Sequence, residues 1–342
     1  MTEAARPGIP RVRLRFLLWI ALPLALAWAM RGVAVGQVIE SLSQLSLAEA
    51  IVLAAVNLLV VLTFSGRWWV LLRARGCRIP YLRLSGYRLA AFSISYFTPG
   101  THFGGEPLQV HLAHARHGVP LPVSTASVVL DKAIELIANF AFLAFGLSTV
   151  VRLGLNPGGT TLLLRAASLL LLVAPTAYLA AVWLGRRPAT WLLSRLGWEA
   201  ARPSWKGRLR RWAEASEAEV GIAARGSPGG LLAAGAFSLL SWILLLAEWA
   251  LAMWFLDIRL TPAEVIAVVT AARLALFVPL PGAAGALEAG LILSLTTLGV
   301  TSAQALSLAV IIRLRDVAFG AVGLWLGGLY SGGDARPDPA GP

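Results

Sequence analysis

The 342-residue chain is 58% hydrophobic and only 13% charged, with a mean hydropathy of +0.74. Soluble domains are about one quarter charged, so this composition excludes one and points to an integral membrane protein. The net charge of +12 does not imply nucleic acid, because Lys and Arg lie beside apolar spans, as in cytoplasmic loops; the single Cys77 excludes an intrachain disulfide.

Arg11, Arg13 and Arg15 precede an apolar run over 16–30. Ala25-Leu26-Ala27 imitates a cleavage site, but the apolar run is too long for a signal peptide. An uncleaved first helix over 13–35 is therefore expected within a first region, 1–47, with the N-terminus in the cytoplasm. A second helix covers 48–72, and the basic loop behind it carries Arg73, Arg75, Arg78, Arg83 and Arg88. That charge predicts a return to the cytoplasm. The next apolar segments, within 84–118, are broken by Pro99-Gly100, and a long helix follows over 119–151. Region 153–185 holds one linker helix, 161–184. The basic stretch 186–228 carries Trp191, Leu192, Leu196, Trp198 and Trp205 among arginines. Its pattern predicts amphipathic helices lying in the cytoplasmic headgroup layer. A further helix over 229–256, a second broken pair over 263–298 and a last helix over 301–329 complete the spans. The Gly/Pro/Asp-rich tail 331–342 reads as disordered.

The two breaks are copies of one stretch. Pro99, Gly100, Gly104, Gly105 and Glu106 in the first correspond to Pro281, Gly282, Gly285 and Glu288 in the second. Glu106 precedes Asp131 by 25 residues, and Glu288 precedes Arg313 by 25. Arg67 and Glu248 fall at nearly the same offset. Two units are thus expected, 48–152 and 229–330. Proline and glycine end helices, and irregular backbone at membrane depth must be buried in protein or line a wet cavity. Loops 73–88 and 186–228 are both basic, so the first broken segment must enter from the cytoplasm and return to it. The linker helix then inverts the second copy. The expected fold is an all-α, multi-span helical bundle of two inverted repeats, each with a Pro-Gly-broken re-entrant hairpin. Such repeats surround the central sites of alternating-access carriers.

Charges inside the spans mark the candidate translocation site: Glu106, Asp131, Lys132, Glu135, Arg273, Glu288, Arg313 and Arg315. Each costs about 3 kcal/mol at the bilayer centre on insertion scales, so partners or a wet cavity are required. Lys132 is the expected partner of Glu106, and Arg273 or Arg313 that of Glu288. Alternatively, each carboxylate caps free N–H groups at its break. His111, His114, Arg116 and His117 would line a cytoplasmic mouth that attracts an anionic headgroup. The His-x-x-His-x-x-His run lacks the usual zinc-helix spacing, and no metal site is expected. No nucleotide loop or nucleophile elbow occurs, so no cofactor and no catalytic residue is expected.

These motifs resemble the membrane domain of the lysylphosphatidylglycerol synthase/flippase family. The resemblance rests on Pro-Gly-x-x-x-Gly-Gly-Glu at 99–106, Asp131-Lys132-x-x-Glu135, Pro-x-Pro-Gly-x-x-Gly-x-x-Glu at 279–288, and Arg313. Many relatives carry arginine where this chain has Gln109 and Leu287. The soluble aminoacyl-transfer domain of the synthases has no counterpart here, so lipid aminoacylation is not implied. The expected protein is multi-pass in the plasma or inner membrane, and the lack of a catalytic motif argues against an enzyme. What the resemblance implies is translocation of a lipid, anionic or lipid-linked in its headgroup. The alternative is a membrane enzyme or accessory subunit acting on a lipid-linked sugar or phosphate.

Overall fold

A computed structural model describes residues 45–98, 104–155, 160–199, 204–278 and 280–332, together with Gly36 and Ser43. The expected first helix, Pro99, Gly100 and nearly all of the tail lie outside the described residues. Those described form eleven α-helices and no strand. They are α1 (Leu47–Arg73), α2 (Tyr81–Phe97), α3 (Glu106–His117), α4 (Leu121–Arg152), α5 (Thr160–Trp183) and α6 (Pro188–Arg195). Then come α7 (Trp205–Gly226), α8 (Pro228–Phe255), α9 (Pro262–Ala275), α10 (Ala286–Thr297) and α11 (Ser302–Gly332). Four of them, α1, α4, α5 and α8, are long and apolar enough to cross a membrane. The protein is a multi-span helical membrane protein.

Local chemistry sets the ends. Ser46 and Glu49 form a capping box at the start of α1, and Thr261 and Glu264 repeat it at the start of α9. In each, the hydroxyl accepts from the N3 amide while the glutamate accepts from the cap amide, satisfying two otherwise orphan donors. Pro120 and Pro122 open α4, where a missing N–H goes unmissed.

One end of the bundle gathers several termini. Arg75, just past α1, pairs with Glu219 of α7. Arg225 at the end of α7 donates to Val182 O in the last turn of α5, at 3.0 Å. Tyr87, near the start of α2, bonds His117 at the end of α3, with the Tyr87 OH and His117 Nε2 3.0 Å apart. Its ring also meets Tyr330 of α11 edge-on. So α2 and α3 form a hairpin whose two ends lie together. At the opposite end, Gln304 at the start of α11 donates to Leu256 O, the C-cap of α8.

Packing between the two expected units is reciprocal. α1 lies along α8, α2 along α11, and α9 along α4. Within each copy, α3 returns onto α4 and α10 onto α11. The α2–α11 seam is tight because Gly323 leaves no room for more: a Cβ there would sit 2.2 Å from Leu89 O. Small residues at such seams are what bring helices close in membranes, where lipid supplies no hydrophobic drive. One apolar core joins α8 to α11, including Val268, Leu291, Leu295 and Leu308. A second joins α1 to α4 around Trp68, Leu72 and Leu84.

Candidate functional site

The two breaks bring their glutamates into two charge networks. Asp131 lies ten residues into α4, about 15 Å along the axis at 1.5 Å per residue. Arg67 Nε donates to Asp131 Oδ1 at 2.7 Å, and its Nη2 to Glu135 Oε2 at 2.8 Å. Arg88 of α2 reaches the same two carboxylates, at 2.6 Å and 3.0 Å. Asp131 and Glu135 are four apart on one helix face, so a single guanidinium can span both. Lys132 closes the network onto the break, 3.1 Å from Glu106 Oε1 and 3.0 Å from Glu135 Oε1.

The second network is built on α8, α10 and α11. Arg313 pairs with Glu288, and its Nη1 donates to Gly282 O at 2.6 Å and to Tyr96 OH at 3.2 Å. Arg315 pairs with Glu248 and, at 2.9 Å, with Asp316. Glu248 and Arg313 are buried, as are Arg67 and Asp131. Glu106, Glu135 and Glu288 instead keep 25%, 26% and 21% of their side chains exposed. The deep members join separate helices by ion pairs, and the glutamates at the breaks and Glu135 stay partly open.

Both roles considered for the glutamates coexist. Glu106 Oε2 accepts from Gly104 N at 2.8 Å, while Oε1 faces Lys132. Glu288 Oε2 accepts from Gly285 N at 2.8 Å, while Oε1 holds Arg313. Each carboxylate therefore splits its oxygens between a broken backbone and a cation. The break glycines make this possible. Gly285 sits at φ +80, which an L side chain rarely adopts. Gly105 presses on α2, where an added Cβ would lie 2.0 Å from Ala91 O.

Among the described residues Arg273 has no ion pair. It is half-buried in the last turn of α9, its guanidinium 4.9 Å from the centre of the Trp242 ring. The charge of Glu135 acts on it from the first network, and those of Arg315, Asp316 and Glu248 from the second. Arg273 is thus not the partner of Glu288; Arg313 is. Arg67 and Glu248, which share an offset in the sequence, do not pair: Arg67 finds Asp131 and Glu248 finds Arg315.

The histidine run is committed differently. His114 Nδ1 meets Val119 O at 2.8 Å, His117 meets Tyr87, and Arg116 donates to Tyr330 O. His111 is exposed. No group of three or more His, Cys, Asp or Glu among the described residues is placed to hold a metal.

Arg67, Arg88, Glu248, Asp316 and Tyr96 join the networks although they were not among the expected site residues. Tyr81, Ser85, Arg88 and Ser95 recur at helical spacing, a polar stripe that could have flagged Arg88.

Residues 15–323 match the family described as the lysylphosphatidylglycerol synthase TM region. The chain belongs to that family. No curated protein matches the chain. Membership in the lysylphosphatidylglycerol synthase TM-region family links the protein to lipid modification or translocation.

Proposed function

We propose that the protein translocates a lipid or lipid-linked headgroup across the membrane, docking its phosphate at Arg273. The observation that carries this is Arg273 itself. Every other cation of the two networks has a carboxylate in an ion pair, whereas Arg273 has none among the described residues and lies over the Trp242 ring. An intramembrane arginine without an acid is costly and marks a substrate path by default. Guanidinium groups match phosphate oxygens in geometry as well as charge.

The packing supports alternating access between inverted repeats. The α2–α11 contact has its counterpart in the α9–α4 contact, and α3 on α4 has its counterpart in α10 on α11. In the proposed topology the Arg75–Glu219 end is cytoplasmic, as are the N-terminus and the basic stretch 186–228, and each hairpin re-enters from its own side. The proposed units are 48–152 and 229–330. Around Arg273, Glu106, Lys132, Glu135 and Glu288 would exchange partners with the cargo, while Asp131, Arg313 and Arg315 hold the walls. His111 would stand at the cytoplasmic mouth.

The test is a comparison of two preparations with an acyl-labelled phosphatidylglycerol. In sealed proteoliposomes the purified protein should move label between leaflets. In detergent, which has no leaflets, the lipid should come back chemically unchanged. Conversion of the lipid in detergent would point instead to a membrane enzyme.

A further inference from the structure

A second cationic site lies away from the hairpins, where the end of α5 meets α6 and α7. A cavity of about 130 Å³ is lined there by Arg186, Arg187, Arg225 and Glu217. Arg225 is pinned: it donates to Val182 O at 3.0 Å, and its guanidinium lies against Gly185 and Gly221. Glu217 is buried, and its two oxygens are used by the first amides of α6, Ala189 N and Thr190 N, each at 2.9 Å. Its charge is therefore spent on a helix end. Among the described residues Arg186 and Arg187 make no ion pair, and both are exposed. Three arginines thus face one carboxylate, Glu217, whose oxygens are already taken by the α6 amides, so the cavity keeps an excess of positive charge.

Its surroundings say what kind of anion fits. Trp183 is 46% exposed, Leu184 73%, Trp191 58% and Ile222 46%. Large apolar side chains beside arginines suit the boundary between headgroups and acyl chains. A water-soluble anion would leave that apolar rim uncovered, while a lipid would cover it with its chains. We infer that this cavity binds the phosphodiester of an anionic phospholipid, held as a resident lipid of the surrounding leaflet and separate from the cargo. Arg225 is the preorganised contact, and Arg186 and Arg187 close over the phosphate from the rim. The bound lipid would pin the α5 end to α7.

Each arginine near an anionic surface contributes about fivefold in binding. Arg186→Gln/Arg187→Gln should therefore lower retention of phosphatidylglycerol roughly 25-fold. The pair is exposed and bonds nothing structural among the described residues, so folding should be untouched. The measurement is native mass spectrometry of the full chain from mixed micelles holding equal phosphatidylglycerol and phosphatidylcholine. The wild type should keep phosphatidylglycerol in preference, and the double variant should lose that preference. Arg273→Gln should keep it, because the site is separate whether or not Arg273 docks a cargo. Inorganic phosphate at millimolar concentration should not displace the lipid. Equal retention by wild type and double variant overturns the site. Displacement by phosphate overturns its lipid occupant, and loss of retention in Arg273→Gln overturns its separateness.

Discussion

Glu288→Gln isolates what charge does at the second break. The carboxylate is an acceptor at both oxygens: Oε2 takes Gly285 N–H at 2.8 Å, and Oε1 takes Arg313. A glutamine has one oxygen and one NH2, so it can satisfy one of these donors and must oppose the other with a donor of its own. Arg313 would keep Gly282 O at 2.6 Å and Tyr96 OH at 3.2 Å, but no anion. Removing one partner of a buried pair costs about 3–5 kcal/mol. Glu288 is 21% exposed and Arg313 retains two acceptors, which puts the loss near the lower bound, about 3 kcal/mol. Replacing both partners removes the stranded charge, so Glu288→Gln/Arg313→Gln should lose less than the two single changes added together. Unfolding of the purified variants in mixed micelles by graded denaturing detergent reads these differences. A single variant within about 1 kcal/mol of wild type, or a double variant as unstable as the sum, would refute the buried pair as the lock of this hairpin.

Further expectations follow from single contacts. Gly105→Ala places a Cβ 2.0 Å from Ala91 O and should lower the yield of folded protein sharply. Gly290→Ala, where the nearest atom is 3.5 Å away, should be tolerated; equal yields of the two would contradict the close approach of α3 to α2. Arg116→Gln loses the charged donor to Tyr330 O and should cost about 1.5–3 kcal/mol, whereas exposed His111→Gln should be neutral in the same unfolding assay. Burial pushes the Cys77 thiol up, so less thiolate is present at neutral pH. Its alkylation by an impermeant maleimide should be slow at pH 7 and accelerate toward pH 9. Because it lies beside Arg75, it should also react only from the cytoplasmic face. Labelling from outside in intact cells would reverse the topology.

Much of the bundle was legible because its signals are local. The Pro-Gly breaks interrupt apolar runs, and the capping boxes at Ser46 and Thr261 sit where the runs resume. Among the described helices, ends fell within a few residues of expectation, except α9, which stops at Ala275, short of the second break. The ion pairs were less legible. Lys132 with Glu106 could be guessed from a shared network of motifs, but the partner of Glu288 depended on how α10 turns against α11. Arg88 was read as a topological charge of a cytoplasmic loop. It lies about two turns inside α2, where only the tertiary fold brings its guanidinium to Asp131 and Glu135.

The most direct test is the rate at which an acyl-labelled phosphatidylglycerol crosses sealed proteoliposomes, for wild type against Arg273→Gln. A charge-assisted hydrogen bond is worth about 1.5–3 kcal/mol, so docking at Arg273 predicts that the variant is slower by at least about tenfold. Its unfolding should lie within about 2 kcal/mol of wild type, since Arg273 makes no ion pair among the described residues and loses only its place over the Trp242 ring. A folded Arg273→Gln variant that moves the lipid at the wild-type rate would contradict translocation through this site.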